Sequence, residues 1–207
     1  MNFRLTIEIN LYKSSDVLKV SGDYFFLIME ENYIESVTKQ FQYYKLLGER
    51  TFFQLEETDL FWQFNEGSNS IAIIVHHLAG NMKSRWTDFL TSDGEKSWRN
   101  RDNEFENVIQ SETELLKFWK EGWICLFEAL ESLQEENFHT EIYIRNMGHT
   151  VVEAVNRQLA HYAYHLGQIV FIGRMIKGKD WKSLSIPKGK STVYNQEKFA
   201  QPKQSKC

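Results

Sequence analysis

The chain has 207 residues, a formal net charge of −4, 42% hydrophobic and 25% charged residues, the balance of one globular domain with a single sizeable core. The acidic balance argues against nucleic acid as a partner, since phosphate binding calls for a basic patch, and no run approaches the roughly 18 apolar residues of a membrane span. Two distant cysteines, Cys125 and Cys207, exclude a disulfide framework and thiolate-held structural zinc, and point to a reducing cytoplasm.

Residues 1–28 read unlike the remainder. Phe3, Leu5, Ile7 and Ile9 alternate weakly, as a strand would. The segment reads either as an extension upstream of a start at Met29 or as an N-terminal strand or arm. The main domain is expected over residues 29–180, and residues 181–207 form a tail that packs on it or is partly disordered.

From Glu30 to about Leu55 the pattern is helical. Ile34, Val37, Phe41, Tyr44 and Phe52 recur at steps of three and four, and Asn32 with Glu35 has capping-box spacing. A connection follows over residues 56–69, in which Trp62 and Phe64 are expected to pack on the helices. A second helix starts near Ser70, with Ile71, Ile74, Val75, Leu78, Met82, Trp86 and Phe89 on one stripe. The Ser92-Asp93-Gly94 run is its stop signal.

Residues 93–110 are polar and charged, which predicts a solvated loop with at most a turn of helix. Ser111 and Glu114 open a third helix, buried through Leu115, Trp119, Trp123, Leu126, Phe127 and Leu130. Cys125 on it is expected to be an inert thiol, with nothing nearby to lower its pKa. Residues 137–149 alternate, so a short extended or hairpin insert is expected there. Thr150 and Glu153 then cap a fourth helix that runs to about Lys177, stopped by Gly178. The two prolines, Pro187 and Pro202, lie beyond it. The fold predicted is all-α: a four-helix bundle with a short extended insert before the last helix.

The chemistry concentrates in His161-Tyr162-Ala163-Tyr164-His165-Leu166-Gly167-Gln168. Histidines four apart on a helix share one face, and both border the apolar seam of the fourth helix. The first His is not followed by Glu, so this is not the HExxH protease pattern. A pair alone more often marks hydrogen-bonded structural histidines, and a third ligand from another helix would decide the matter. The second helix offers His76 and His77, which lie about equally far from its apolar stripe on opposite sides. Ile74 and Asn81 flank His77, Asn81 as a candidate hydrogen-bond partner. Lys83 beside His76 is a poor neighbour for a cation. Three imidazoles from two helices would leave coordination positions open, the layout of a catalytic site. His139 and His149 fall in loops, and His149 could reach a pocket mouth. His76, His149 and Glu153 are the candidate general bases.

Ile73-Ile74-Val75-His76-His77-Leu78-Ala79-Gly80-Asn81 and the His-x-x-x-His run followed by Gly167-Gln168 together resemble the two metal motifs of the DinB-like (YfiT-like) metalloenzymes. The resemblance covers roughly Met29–Phe199, in a branch known only as a domain of unknown function. It implies a four-helix bundle with a divalent metal, zinc or nickel, on His77, His161 and His165, the ligand of the second helix being the His directly before Leu-Ala. It also implies a metal-dependent enzyme acting on a small molecule, either transferring sulfur from a low-molecular-weight thiol or hydrolysing, and a homodimer; the apolar outer stripe Tyr164, Phe171 and Met175 is either its interface or a surface covered by the tail. The alternatives are a non-catalytic, stress-associated metal-binding bundle and a purely structural role for the histidines.

Overall fold

The computed structural model describes the backbone of residues 22–203 and the side chains of residues 33–203, residue 135 excepted. The strand-like alternation at Phe3–Ile9 lies outside the described residues. Among the described residues the chain is predominantly helical with one small sheet: α1 (Gly22–Phe52), α2 (Ile71–Trp86), α3 (Glu112–Glu131), β1 (Glu141–Ile144), β2 (Met147–Thr150), α4 (Val151–Lys177) and α5 (Ser191–Phe199). Among the described residues, no helix is long and apolar enough to cross a membrane.

α1 packs against α4 and α3, and α2 against α3 and α4. The four long helices meet at an aromatic cluster. Phe41 of α1 is fully buried, with ring centroids 6.4 Å from Trp86 of α2, 6.5 Å from Trp123 of α3 and 5.7 Å from Tyr162 of α4. Edge-on and tilted pairs of this kind add about 0.5–1.5 kcal/mol each beyond their buried area.

The helix termini mostly follow local chemistry. Ser70 and Ser111 accept from the backbone N–H groups of Ile73 and Glu114. Thr150 and Glu153 satisfy each other's backbone donors in a full capping box. Gly178, at φ 52°, ends α4 in a conformation that L side chains rarely adopt. Two boundaries differ from the sequence expectation. α1 already begins at Gly22, so Asn32 lies within the helix and is not its cap. α2 ends at Trp86 rather than at Gly94, because Asp88 takes a positive φ of 49° and turns the chain out of the helix.

The expected insert is an antiparallel hairpin with Glu141 opposite Thr150 and Ile144 opposite Met147. Arg145 and Asn146 turn it with φ 55° and 59°, the geometry that matches strand twist in two-residue hairpin loops. Asp93 holds the turn by accepting from both of its backbone N–H groups, at 2.8 Å each. These bonds, with one from Glu95 N–H, outweigh burial and keep the Asp93 carboxyl below the ordinary carboxylate range.

Two stretches outside the long helices are only partly covered. Trp62 and Phe64 do not enter the core: they remain 37% and 71% exposed and stand edge to face at 6.4 Å. In the tail, Trp181 and Leu184 are half-buried and Ile186 is exposed, and α5 leaves every side chain in solvent.

Candidate metal centre

α2 carries the first part of the site. Its residues are buried except for the partly exposed Gly80 and Lys83. An element wrapped on nearly all sides has no clean polar face, so a helical wheel cannot choose between His76 and His77. The tertiary structure does. His77 (3% exposed) points to α4, whereas His76 lies edge-on to Phe118 of α3 at 5.2 Å, with its Nδ1 unpartnered.

On α4 the four-residue spacing brings His161 and His165 one above the other. Their Nε2 atoms are 3.1 Å apart, and His161 Nε2 is 3.3 Å from His77 Nε2. One atom from each ring lies within 4.8 Å of the others, and the three residues form a group that could hold a metal ion. His77 and His165 are buried and His161 is half-exposed, so the group opens to one side.

The inward direction of the Nε2 atoms has a cause in what lies behind the rings. Glu104, 4% exposed, accepts from His77 Nδ1 at 2.9 Å. A carboxylate can only accept, so Nδ1 carries a proton, and the neutral ring then turns its Nε2 lone pair to the other histidines. Gln168 Oε1 does the same for His165 Nδ1 at 3.3 Å. Phe105 stacks on His77 with centroids 4.7 Å apart, fixing the ring plane. Supporting groups of this kind orient metal-binding imidazoles and raise their basicity.

Glu104 is itself held. Arg99 grips it through Nε to Oε1 at 2.7 Å and a terminal guanidinium nitrogen to Oε2 at 2.8 Å, the bidentate fork that suits a carboxylate. Burial would raise the Glu104 carboxyl, but the bonds from Arg99 and His77 together hold it below the usual range. Arg99 continues to Glu95 at 3.3 Å, and Glu95 meets Arg85 at 3.1 Å and Arg145 of the hairpin turn at 3.2 Å. The segment expected to be a solvated loop is therefore a folded cover, with the Arg99 side chain 2% exposed. The turn of helix foreseen in it is Asp102–Phe105, and that turn delivers both Glu104 and Phe105.

Gly80 is the trace of this cover on α2. A Cβ there would clash with Oε1 of Glu104 and approach its Cδ to 2.7 Å. Gly80→Ala should therefore destabilise the fold by about 1–3 kcal/mol, the usual cost of overpacking. It does so although alanine gains up to about 1 kcal/mol in helix propensity, because Arg99 and His77 pin the carboxylate. Denaturant titration of the two proteins reads the difference, and a more stable alanine variant would show that Glu104 is free to move.

Burial, followed by the neighbouring charges of His165 and His77, pushes His161 down to about 3. Burial and the charge of His77 push His165 down to about 4. Both imidazoles are therefore neutral at pH 7, the form that binds metals. Asn81 does not serve His77, as the sequence suggested. It accepts at 3.1 Å from Tyr162, whose oxygen accepts from Trp86 Nε1 at 3.0 Å, a buried bridge between α2 and α4 behind the site. Tyr162→Phe, which orphans both partners, should cost about 2–4 kcal/mol, measurable as a lower urea midpoint at unchanged slope.

None of the candidate general bases joins the cluster. His76 faces α3, Glu153 is spent on the α4 cap, and His149 sits half-buried on β2. Burial raises the Cys125 thiol, in keeping with an inert cysteine.

A family model described as "Protein of unknown function (DUF1572)" matches residues 29–190. The chain belongs to the DUF1572 family. No curated protein and no solved structure matches it. The DUF1572 span takes in all three histidines, both supporting residues Glu104 and Gln168, and the Arg99 clamp, and it leaves α5 outside.

Proposed function

We propose that this DUF1572 protein binds one divalent ion through His77, His161 and His165 and acts as a metal-dependent enzyme on a small molecule. The observation that carries this reading is the convergence of three imidazole Nε2 atoms while Glu104 and Gln168 take the outward protons of two of the rings. Three imidazole nitrogens suit zinc or nickel and complete neither ion's coordination. A bound ion of this class supplies a Lewis acid with room for a substrate oxygen or sulfur. The chain's own contribution is positional. Glu104 fixes the His77 tautomer, Gln168 that of His165, and Phe105 shields one face of the His77 ring from water.

The packing of α1 to α4 around Phe41, with one histidine on α2 and a His-x-x-x-His pair on α4, supports assignment to the DinB-like four-helix bundles. Within that class, sulfur transfer from a low-molecular-weight thiol and hydrolysis are the two reactions to assay. The half-exposed His161, which leaves the cluster open, favours catalysis over closed metal storage.

Elemental analysis of protein purified without chelator tests the reading. About one equivalent of zinc or nickel is expected, falling to background in the His161→Ala, His165→Ala double variant. Equal metal content in wild type and double variant would overturn it.

A further inference from the structure

Beside the histidine cluster runs a groove of about 420 Å³, within the range of small-molecule pockets. It meets the cluster at Gln168, whose Oε1 is bonded to His165 Nδ1, and Ile74 of its lining lies one turn ahead of His77 on α2. From Gln168 the groove follows α4 to Met175, seven residues or about 10 Å along the axis. Its other sides are Trp62, Phe64, Phe171 and Ile172, and its few polar groups are uncharged: Ser68, Asn69 and the Gln168 amide.

We propose that this groove holds the uncharged, apolar arm of the molecule whose polar head reaches the metal, an inference that rests on the metal-site reading above. Three observations fix the occupant. The lining carries no ionisable side chain, so a charged arm would lose its hydration with no partner in return. Three large apolar side chains left in solvent, Phe64 at 71%, Phe171 at 64% and Met175 at 46%, stand together along this groove. The length beyond Gln168 matches a chain of six to eight carbons or a substituted ring. Trp62 and Phe64 belong to the connection between α1 and α2 rather than to a helix, so the aromatic wall is set by that loop.

Hydroxamic acids test this on the zinc-loaded protein, with the head group constant and the arm varied, by titration calorimetry. Octanohydroxamic acid is expected to bind at least about tenfold tighter than acetohydroxamic acid, since each buried methylene is worth roughly fourfold. The monohydroxamate of suberic acid, of the same length but ending in a carboxylate, should lose most of that gain. Met175→Asp should bring the octano-to-aceto ratio towards one, and Phe171→Ser, at a position mostly in solvent, should lower it severalfold. If zinc binds but arm length has no effect, the groove assignment is wrong and the metal site stands. If zinc does not bind at all, both fall. If the groove is instead covered by a second copy of the chain, sedimentation will show a dimer that Phe171→Ser dissociates, and the arm-length effect will be absent, which also overturns the proposal.

Discussion

Glu104→Ala should lower folding stability by about 3–5 kcal/mol, the usual cost of removing one partner from a buried ion pair. The size follows from what is left behind. The Arg99 side chain is 2% exposed and the Glu104 side chain 5%, so neither solvent nor salt can replace the lost carboxylate. The same substitution leaves His77 Nδ1 without its acceptor. The ring can then place its proton on either nitrogen, and the inward lone pair is no longer guaranteed. Metal affinity should fall a further 10- to 100-fold, the range seen when a supporting group behind a metal-bound histidine is removed. Chemical denaturation of the metal-free protein and a competitive zinc titration measure the two effects separately. Glu104→Gln divides them by chemistry. Its amide oxygen can still accept from His77, but Arg99 is left with only the Glu95 carboxylate that it shares with Arg85 and Arg145, so more of the affinity than of the stability should survive. A fully stable Glu104→Ala protein would show that the Arg99 guanidinium reaches water.

Zinc at a free concentration about a thousand times its Kd should stabilise the wild-type fold by about 4 kcal/mol. For a chain of this size that raises the thermal midpoint by roughly 8–16 °C. The His161→Ala variant should show little of this shift. The pH dependence has a definite sign. His161 and His165 have folded values of about 3 and about 4, below the 6.5 or so of an unfolded histidine. Between these values the unfolded chain binds more protons than the folded one. Their contribution to stability is therefore complete above about pH 7 and is lost as the pH falls through 6 towards 4. Thermal melts of the metal-free protein at pH 7.5 and 5.0 should show the lower midpoint at pH 5.0, with the difference reduced in the double histidine variant. Since both rings are neutral at pH 7, zinc binding there should release almost no protons from them, which calorimetry in buffers of different ionisation enthalpy can read.

Much of the frame was legible because it rests on local signals. The Thr150–Glu153 box and Gly178 bracket α4 through backbone hydrogen bonding that involves neighbours in sequence only. The His161–His165 spacing needs nothing beyond helix geometry. Glu104 was not legible, because a run of Lys, Arg, Asp and Glu looks the same whether its charges face water or each other. The pairing of Arg99 with Glu104 and of Glu95 with Arg85 and Arg145 joins three separate stretches of chain. One signal did point to it. Gly80 interrupts α2 one turn after His77, and a glycine inside an otherwise strong helix marks a close approach by another segment. The choice of His77 over His76 was equally beyond periodicity, since burial on nearly every side of α2 erases the stripe on which a helical wheel depends. Asn32 misled for the opposite reason: the capping spacing was present, but the helix had already started ten residues earlier.

The carboxylate behind His77 comes from a short turn at Asp102–Phe105, outside the four long helices, and is tied through Arg99 and Glu95 to the hairpin turn. The frame that places the three nitrogens and the device that sets the electron richness of one of them are thus separate pieces of chain. Substitutions in the covering segment would then retune the acidity of an ion held there without moving a helix, and changes in the helix packing need not disturb that setting. The same division would bear on ion exchange: an ion held by His77 should be released faster in variants that loosen residues 95–105, with the helix packing unchanged.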